Sequence, residues 1–158
     1  MQTANLQTVY LLLGSNLGNR EEILTKAIEL ISEKVGVIIS QSKNYETKAW
    51  GKTDQPDFLN IALGITTNLM PMEVLEQTQA IEEQLGRVKI EKWGARLIDI
   101  DIIFYEQAII NIPNRLHIPH PLVQERVFAL EPLAEITPDF IHPVLQKTVR
   151  TLLSEIKD

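Results

Sequence analysis

Asp99-Ile100-Asp101, inside Leu97-Ile98-Asp99-Ile100-Asp101-Ile102-Ile103-Phe104, is the stretch of this chain whose residue types best suit chemistry. Side chains alternate along an extended strand, so the two carboxylates share a face, roughly 7 Å apart at Cα. Ile98, Ile100, Ile102 and Phe104 are expected on the opposite face, as core. Two carboxylates on an otherwise apolar strand repel each other and resist desolvation unless positive charge lies between them. Mg²⁺ answers that need, because it takes hard oxygen ligands and is held by one or two carboxylates together with substrate phosphates. A solvated face, or ion pairs with Arg96 and neighbouring lysines, would answer it too. The residues alone leave these readings open.

Immediately upstream lie Arg87, Lys89, Lys92 and Arg96, interleaved with Trp93 and bracketed by Gly86 and Gly94, with Arg115 and Arg126 following. Residues 87–126 hold six cations against five anions in a chain of net charge −6. If the aspartates hold metal, those cations can face a polyphosphate; an ordinary solvated loop is the alternative. Gly14-Ser15-Asn16-Leu17-Gly18-Asn19 is a strand-to-helix turn whose amides could cradle phosphate, although it lacks the spacing and lysine of a P-loop. In Asp54-Gln55-Pro56-Asp57-Phe58-Leu59-Asn60, Phe58 and Asn60 share a strand face. They pair a stacking ring with an amide that both donates and accepts, which suits a planar heterocycle. His117, His120 and His142 have no metal-ligand spacing, though His120, between two prolines, could donate to a phosphate.

The elements that must position these residues follow from periodicity. Val9–Leu13 reads as a buried strand, and Asn19 as the N-cap of a helix running to Gly36 with apolar residues at helical spacing. A second strand is expected from Val37 to about Tyr45, a loop over Thr47–Asp57, and a third strand over Phe58–Thr67. Pro71 opens a helix with the stripe Val74, Leu75, Thr78, Ile81 and Leu85, ended by Gly86. The basic loop 87–96 precedes the strand Leu97–Tyr105, and a turn at Glu106-Gln107 returns the chain through Ile112. Shorter helices near 122–134 and 146–156 complete it, the last burying Leu145, Val149, Leu152, Leu153 and Ile156. The order predicts an α+β class, a ferredoxin-like βαββαβ core with additional C-terminal helices.

The 158 residues match one domain, expected to span 1–158, and 44% hydrophobic with 23% charged residues is a globular composition. The negative charge argues against a nucleic-acid coat or a basic membrane-surface protein. No Cys is present, so thiolate metal sites, disulfides and cysteine nucleophiles are excluded. With no basic-then-apolar leader and no apolar run near membrane length, a cytoplasmic protein is expected.

Lys92-Trp93-Gly94-Ala95-Arg96-Leu97-Ile98-Asp99-Ile100-Asp101-Ile102-Ile103 resembles the signature of the 6-hydroxymethyl-7,8-dihydropterin pyrophosphokinases. Gly14–Gly18, Asp54–Asn60 and Ile118-Pro119-His120-Pro121 with Arg126 and Phe128 agree with that family in order and nearly in spacing. The resemblance implies transfer of pyrophosphate from ATP to the pterin's hydroxymethyl oxygen, in folate biosynthesis, by a monomer acting on small molecules without nucleic acid or membrane. It implies Asp99 and Asp101 as holders of two Mg²⁺ ions, and these with Arg87, Arg96 and Arg126 as the catalytic set. It implies His120 at the ATP phosphates, and Gln79, Glu82, Lys89, Trp93, Ile102 and Arg115 near the nucleotide. Thr47, Trp50, Phe58, Asn60 and Phe128 match the pterin pocket, with the two phenylalanines sandwiching the ring. Lys89 stands where arginine is usual, Ala95 replaces a frequent proline, and Lys48-Ala49-Trp50 is an uncommon pocket loop. The loops 47–57 and 86–96 are expected to close over the substrates. Two readings compete: a ferredoxin-like regulatory sensor, which would not need Phe58, Asn60 and Phe128 in register with the aspartates, and a metal-dependent nuclease, against which the net negative charge and the lack of an extended basic groove argue.

Overall fold

A computed structural model describes residues 6–16, 19–47, 57–86 and 98–156. Readings that fall on 48–56 and 87–97, including Trp50, Arg87, Lys89, Trp93 and Arg96, lie outside the described residues. The chain runs β1 (Gln7–Ser15), α1 (Arg20–Lys34), β2 (Val37–Gln41), β3 (Tyr45–Thr47), β4 (Phe58–Thr67), α2 (Pro71–Gly86) and β5 (Asp99–Tyr105). There follow β6 (Ile110–Ile112), β7 (Leu116–Ile118), a 3-10 turn (Val123–Glu125), α3 (Val127–Ile136) and α4 (Val149–Ile156). The main sheet has the order β2-β4-β1-β5, with β3 also pairing β4, and every pairing is antiparallel. This is the expected ferredoxin-like core.

Local signals account for the helices. Asn19 Oδ1 accepts from the Glu22 amide at 3.1 Å, capping α1. In α2, Glu73 Oε1 accepts from the Met70 amide at 2.7 Å, half of a capping box. The sheet is apolar on both faces, so helices cover both. Leu11, Leu13, Leu63 and Ile65 pack with Leu24, Ala27 and Ile31 of α1 and with Val74 and Ile81 of α2. On the other face Leu12, Ala62, Ile103 and Phe104 pack with Leu130 and Leu133 of α3 and Val149 and Leu152 of α4.

Four expectations change. The strand expected over 37–45 is two strands, interrupted at Ser42–Asn44, where Ser42 Oγ accepts from the Ala62 amide at 2.9 Å. The return after Glu106 pairs β6 with β7 in a separate two-stranded sheet rather than with β5. Leu145 lies in a turn, 39% exposed, outside the buried stripe of α4. Phe104 does not share a face with Ile98, Ile100 and Ile102. Leu11 pairs Ile102 while Tyr10 pairs Phe104, so Ile103 is an extra residue in the ladder, and this bulge turns Phe104 toward α3 and α4.

Phe104 then stacks on Phe140, with ring centroids 4.3 Å apart, and meets the edge of His142 at 5.7 Å. His142 is buried, and its Nδ1 accepts from the Val144 and Leu145 amides at 3.2 and 3.1 Å. Burial lowers its pKa below the ordinary 6.5. The folded state thus favours neutral imidazole, so this contribution to stability is complete above 6.5 and is lost as pH falls toward the lowered folded value. Thermal unfolding should therefore move to lower temperature between pH 7 and pH 5 more steeply in the wild type than in His142→Asn, whose amide oxygen replaces the acceptor without titrating. Parallel pH profiles would contradict this assignment.

Candidate active site

The site follows from strand register. Gly14 pairs Asn60 of β4 on one side and Asp99 of β5 on the other, while Tyr45 of β3 pairs Asn60. Directly opposed residues of antiparallel strands point the same way. Tyr45, Asn60, Gly14 and Asp99 therefore form one row on the face that α3 and α4 cover. Asp101, paired with Leu12, lies on the same face one row further in. With strands about 4.8 Å apart, Asn60 and Asp99 are separated by about 10 Å at Cα, with only a glycine between them. A Cβ on Gly14 would come within 2.9 Å of Asn60 Oδ1 and 3.7 Å of the Phe58 ring.

Each sequence-derived candidate among the described residues has a definite place. Asp99 and Asp101 are half-buried, whereas Ile98, Ile100 and Ile102 are buried against α1 and α2. Asn60 is buried, and its Nδ2 donates to Thr47 Oγ1 at 3.0 Å. Thr47 pairs Phe58 at the end of the β3–β4 ladder. Phe128 begins α3 and packs against the core on this face, with the Arg126 guanidinium 5.4 Å from its ring centroid.

His120 is tied to the aspartate strand, its amide donating to Ile103 O at 3.0 Å after the cis Ile118–Pro119 peptide. Its Nδ1 accepts from the Leu122 amide at 3.2 Å, so the neutral ring carries its proton on Nε2. Burial first, and the Arg126 guanidinium second, push its pKa down to about 4. At neutral pH His120 is a hydrogen-bond donor without charge.

Other candidates lie apart from this row. Gln79 and Glu82 belong to α2, across the sheet from the aspartates, and Gln79 is exposed. Glu82 reaches the outer edge of β5, where Oε2 accepts from the Ile100 amide at 2.7 Å. Ile102 is buried under the α1–α2 layer, and Arg115 is exposed in the β6–β7 turn. The structure also adds residues that sequence reading missed. Tyr45 joins the row, and its hydroxyl donates to Glu135 at 2.8 Å. Burial, then the Glu135 hydrogen bond and charge, raise its pKa to about 12. No local signal could have found it, since Glu135 is 90 residues away.

Among the described residues no cluster of three or more His, Cys, Asp or Glu could hold a metal, and no helix is long and apolar enough to cross a membrane. Asp99 and Asp101 nonetheless suit a hard divalent cation. They are oxygen donors only, on one face, and a magnesium ion that shares its ligands with phosphates needs no further protein ligand.

A family model described as 7,8-dihydro-6-hydroxymethylpterin-pyrophosphokinase matches residues 10–138. A 2-amino-4-hydroxy-6-hydroxymethyldihydropteridine pyrophosphokinase of Methylorubrum extorquens is 44% identical over 148 residues, covering 93% of this chain and 92% of its own. Its counterpart in Aquifex aeolicus is 42% identical over 150 residues, covering 95% and 92%. Among solved structures, wild-type HPPK-DHPS of Plasmodium falciparum superposes with a TM-score of 0.80 at 20% identity. That alignment takes in 98% of this chain but 45% of the Plasmodium chain, and at this identity it shows the fold alone.

The His120 assignment is open to direct measurement. Its ring resonances should stay unprotonated from pH 8 to pH 5, titrating near 4, and Arg126→Gln should raise that midpoint. A titration near 6.5 in the wild type would contradict the buried, cation-facing environment.

Proposed function

The chain belongs to the 7,8-dihydro-6-hydroxymethylpterin-pyrophosphokinase family, and from that premise we propose that it transfers pyrophosphate from ATP to 6-hydroxymethyl-7,8-dihydropterin in folate biosynthesis. The observation that supports this best is the row Asn60–Gly14–Asp99. It sets a buried amide suited to a heterocycle on the same face as a carboxylate pair suited to Mg²⁺, with Gly14 between them. Neither a regulatory sensor nor a nuclease calls for that juxtaposition.

In this reading the pterin lies beside Asn60, whose amide, seated over Gly14 where the absence of a Cβ makes room for it, reads the ring's donors and acceptors. Phe58 and Phe128 stack on it. The hydroxymethyl oxygen then points toward Asp99 and Asp101. Bound there, Mg²⁺ would neutralise phosphate charge and lower the pKa of the attacking hydroxyl. The new bond joins that oxygen to the β-phosphorus as its proton passes to water, and the bond from the α,β-bridging oxygen to the same phosphorus breaks, releasing AMP. Such transfers depend on alignment and electrostatics more than on covalent help. Arg126, braced on Phe128, and the Nε2–H of His120 stabilise charge developing on the phosphates. A neutral donor adds a hydrogen bond without drawing the phosphates out of line.

Arg87, Arg96, Lys89, Trp93 and Trp50 belong to this reading through their match to the family motifs. So do Gln79, Glu82, Ile102 and Arg115 near the nucleotide. Two Mg²⁺ ions, a monomer of one domain and a cytoplasmic location are parts of the same proposal.

Incubation with ATP, Mg²⁺ and the reduced hydroxymethylpterin should yield AMP and the pterin diphosphate; no AMP would overturn the reading. Asp101→Ala should abolish turnover with an unchanged far-UV spectrum, whereas near-normal activity at saturating Mg²⁺ would remove it from the metal site. Phe128→Ala should weaken pterin binding by about 1–3 kcal/mol, by analogy with bases stacked on aromatic rings. Calorimetry showing equal affinity would take Phe128 out of the pocket.

A further inference from the structure

Strand β3 has three residues, too few to hold a position on their own, and side chains from both helical layers grip it. From the α1 side, Arg20 Nη1 lies 2.9 Å from Glu46 Oε2 and donates to Asp57 O at 2.8 Å. One guanidinium thus joins β3 to the residue that precedes β4. From the α3 side, Glu135 Oε1 accepts from the Tyr45 hydroxyl at 2.8 Å, and its two oxygens lie 3.2 and 3.3 Å from the Lys43 amide nitrogen. Lys43 Nζ lies 5.5 Å from the Tyr45 ring centroid and adds a cation–π contact. Tyr45 and Glu46 point to opposite faces of the sheet, so successive residues of β3 are held from opposite sides.

The next residue is Thr47, whose Oγ1 accepts from Asn60 Nδ2. That bond anchors the Asn60 side chain at the site, since the threonine hydroxyl can hold either end of the amide. With Nδ2 engaged by Thr47, Oδ1 points to the space above Gly14, where a Cβ would meet it at 2.9 Å. If Thr47 shifted, the Asn60 amide would lose this anchor and its place beside the ring.

We propose that Arg20 and Glu135 are positioning residues for heterocycle recognition: by holding β3 from both faces they keep Thr47 on Asn60, and so fix the position of the Asn60 amide that faces the ring. The role rests on the pyrophosphokinase reading above, and neither residue touches substrate. Because exposed ion pairs contribute little to global stability, losing one should disturb recognition more than folding.

Arg20→Met and Glu135→Leu should each raise the KM for the pterin about fivefold, while the KM for ATP stays within about twofold. Arg20→Glu should raise the pterin KM further, and adding Glu46→Arg should bring it back toward the wild-type value. Glu135→Gln, which keeps an acceptor for Tyr45, should recover most of the effect of Glu135→Leu. An unchanged pterin KM in both single variants overturns the proposal, as does a parallel rise in both KM values. If Arg20→Met or Glu135→Leu fails to fold, Arg20→Lys and Glu135→Met carry the test, with a pterin KM raised about twofold to threefold and an unchanged ATP KM. No change in either overturns it. Wild-type protein that forms no AMP overturns the pyrophosphokinase reading and this role with it; active wild type beside indifferent variants overturns this role alone.

Discussion

A Cβ at Gly14 would collide with the Asn60 amide, and Gly14 is flanked by Asn60 in one neighbouring strand and Asp99 in the other. The register of β4 on β1 on β5 therefore does two things at once. It brings an amide and a carboxylate that lie 39 positions apart in the chain onto one row, and it puts between them the glycine that makes room for the amide. A slip of one residue in either pairing would turn the carboxylates or the amide to the other face. The register is protected because both faces of the sheet are buried. Leu11 and Leu13 answer to α1 and α2, while Leu12 answers to α3 and α4, so no alternative pairing satisfies both cores.

Strand β5 has to serve two purposes, since its first half carries the aspartates and its second half anchors the core. The bulge at Ile103 reconciles them. Before it, the apolar side chains Ile98, Ile100 and Ile102 face α1 and α2, which leaves Asp99 and Asp101 on the α3 side. At the bulge both Ile103 and Phe104 turn toward α3 and α4, closing that layer directly beyond the carboxylates. The outer edge of β5 is covered as well, with the Ile100 amide bonded to Glu82 and the Ile103 carbonyl to the His120 amide. Among the described residues no further strand pairs with that edge, and these bonds fix it. His120 is held to that edge through its amide, and burial together with Arg126 lowers its pKa.

Much of this was readable residue by residue. Alternation in Ile98–Ile102 put the aspartates on one face, the Asn19 cap marked the start of α1, and the spacing of Val74, Thr78 and Ile81 identified the buried side of α2. Errors arose where a local pattern met a partner distant in the chain. Val37–Tyr45 reads as continuous strand, but the pairing of Ser42 with Ala62 interrupts it. Phe104 continues the alternation in sequence, yet the extra residue in the β1–β5 ladder reverses its side. His142 carries no motif, because its role depends on the Phe104 ring and on amides that its own turn brings to Nδ1.

The sequence by itself determined the element order, the ferredoxin-like class, the carboxylate pair and the motifs of the pyrophosphokinase family, since each depends on neighbours within a few residues. Only the tertiary structure decided that Asp99 and Asp101 share a face with Asn60, that His120 is neutral with its proton on Nε2, and that Arg20 and Glu135 hold β3. The first and last depend on strand register, which brings together groups 26 to 92 positions apart, and the second on burial and on the turn that carries the Leu122 amide to Nδ1. Such contacts form only when both cores are packed, and periodicity along the chain carries no record of them.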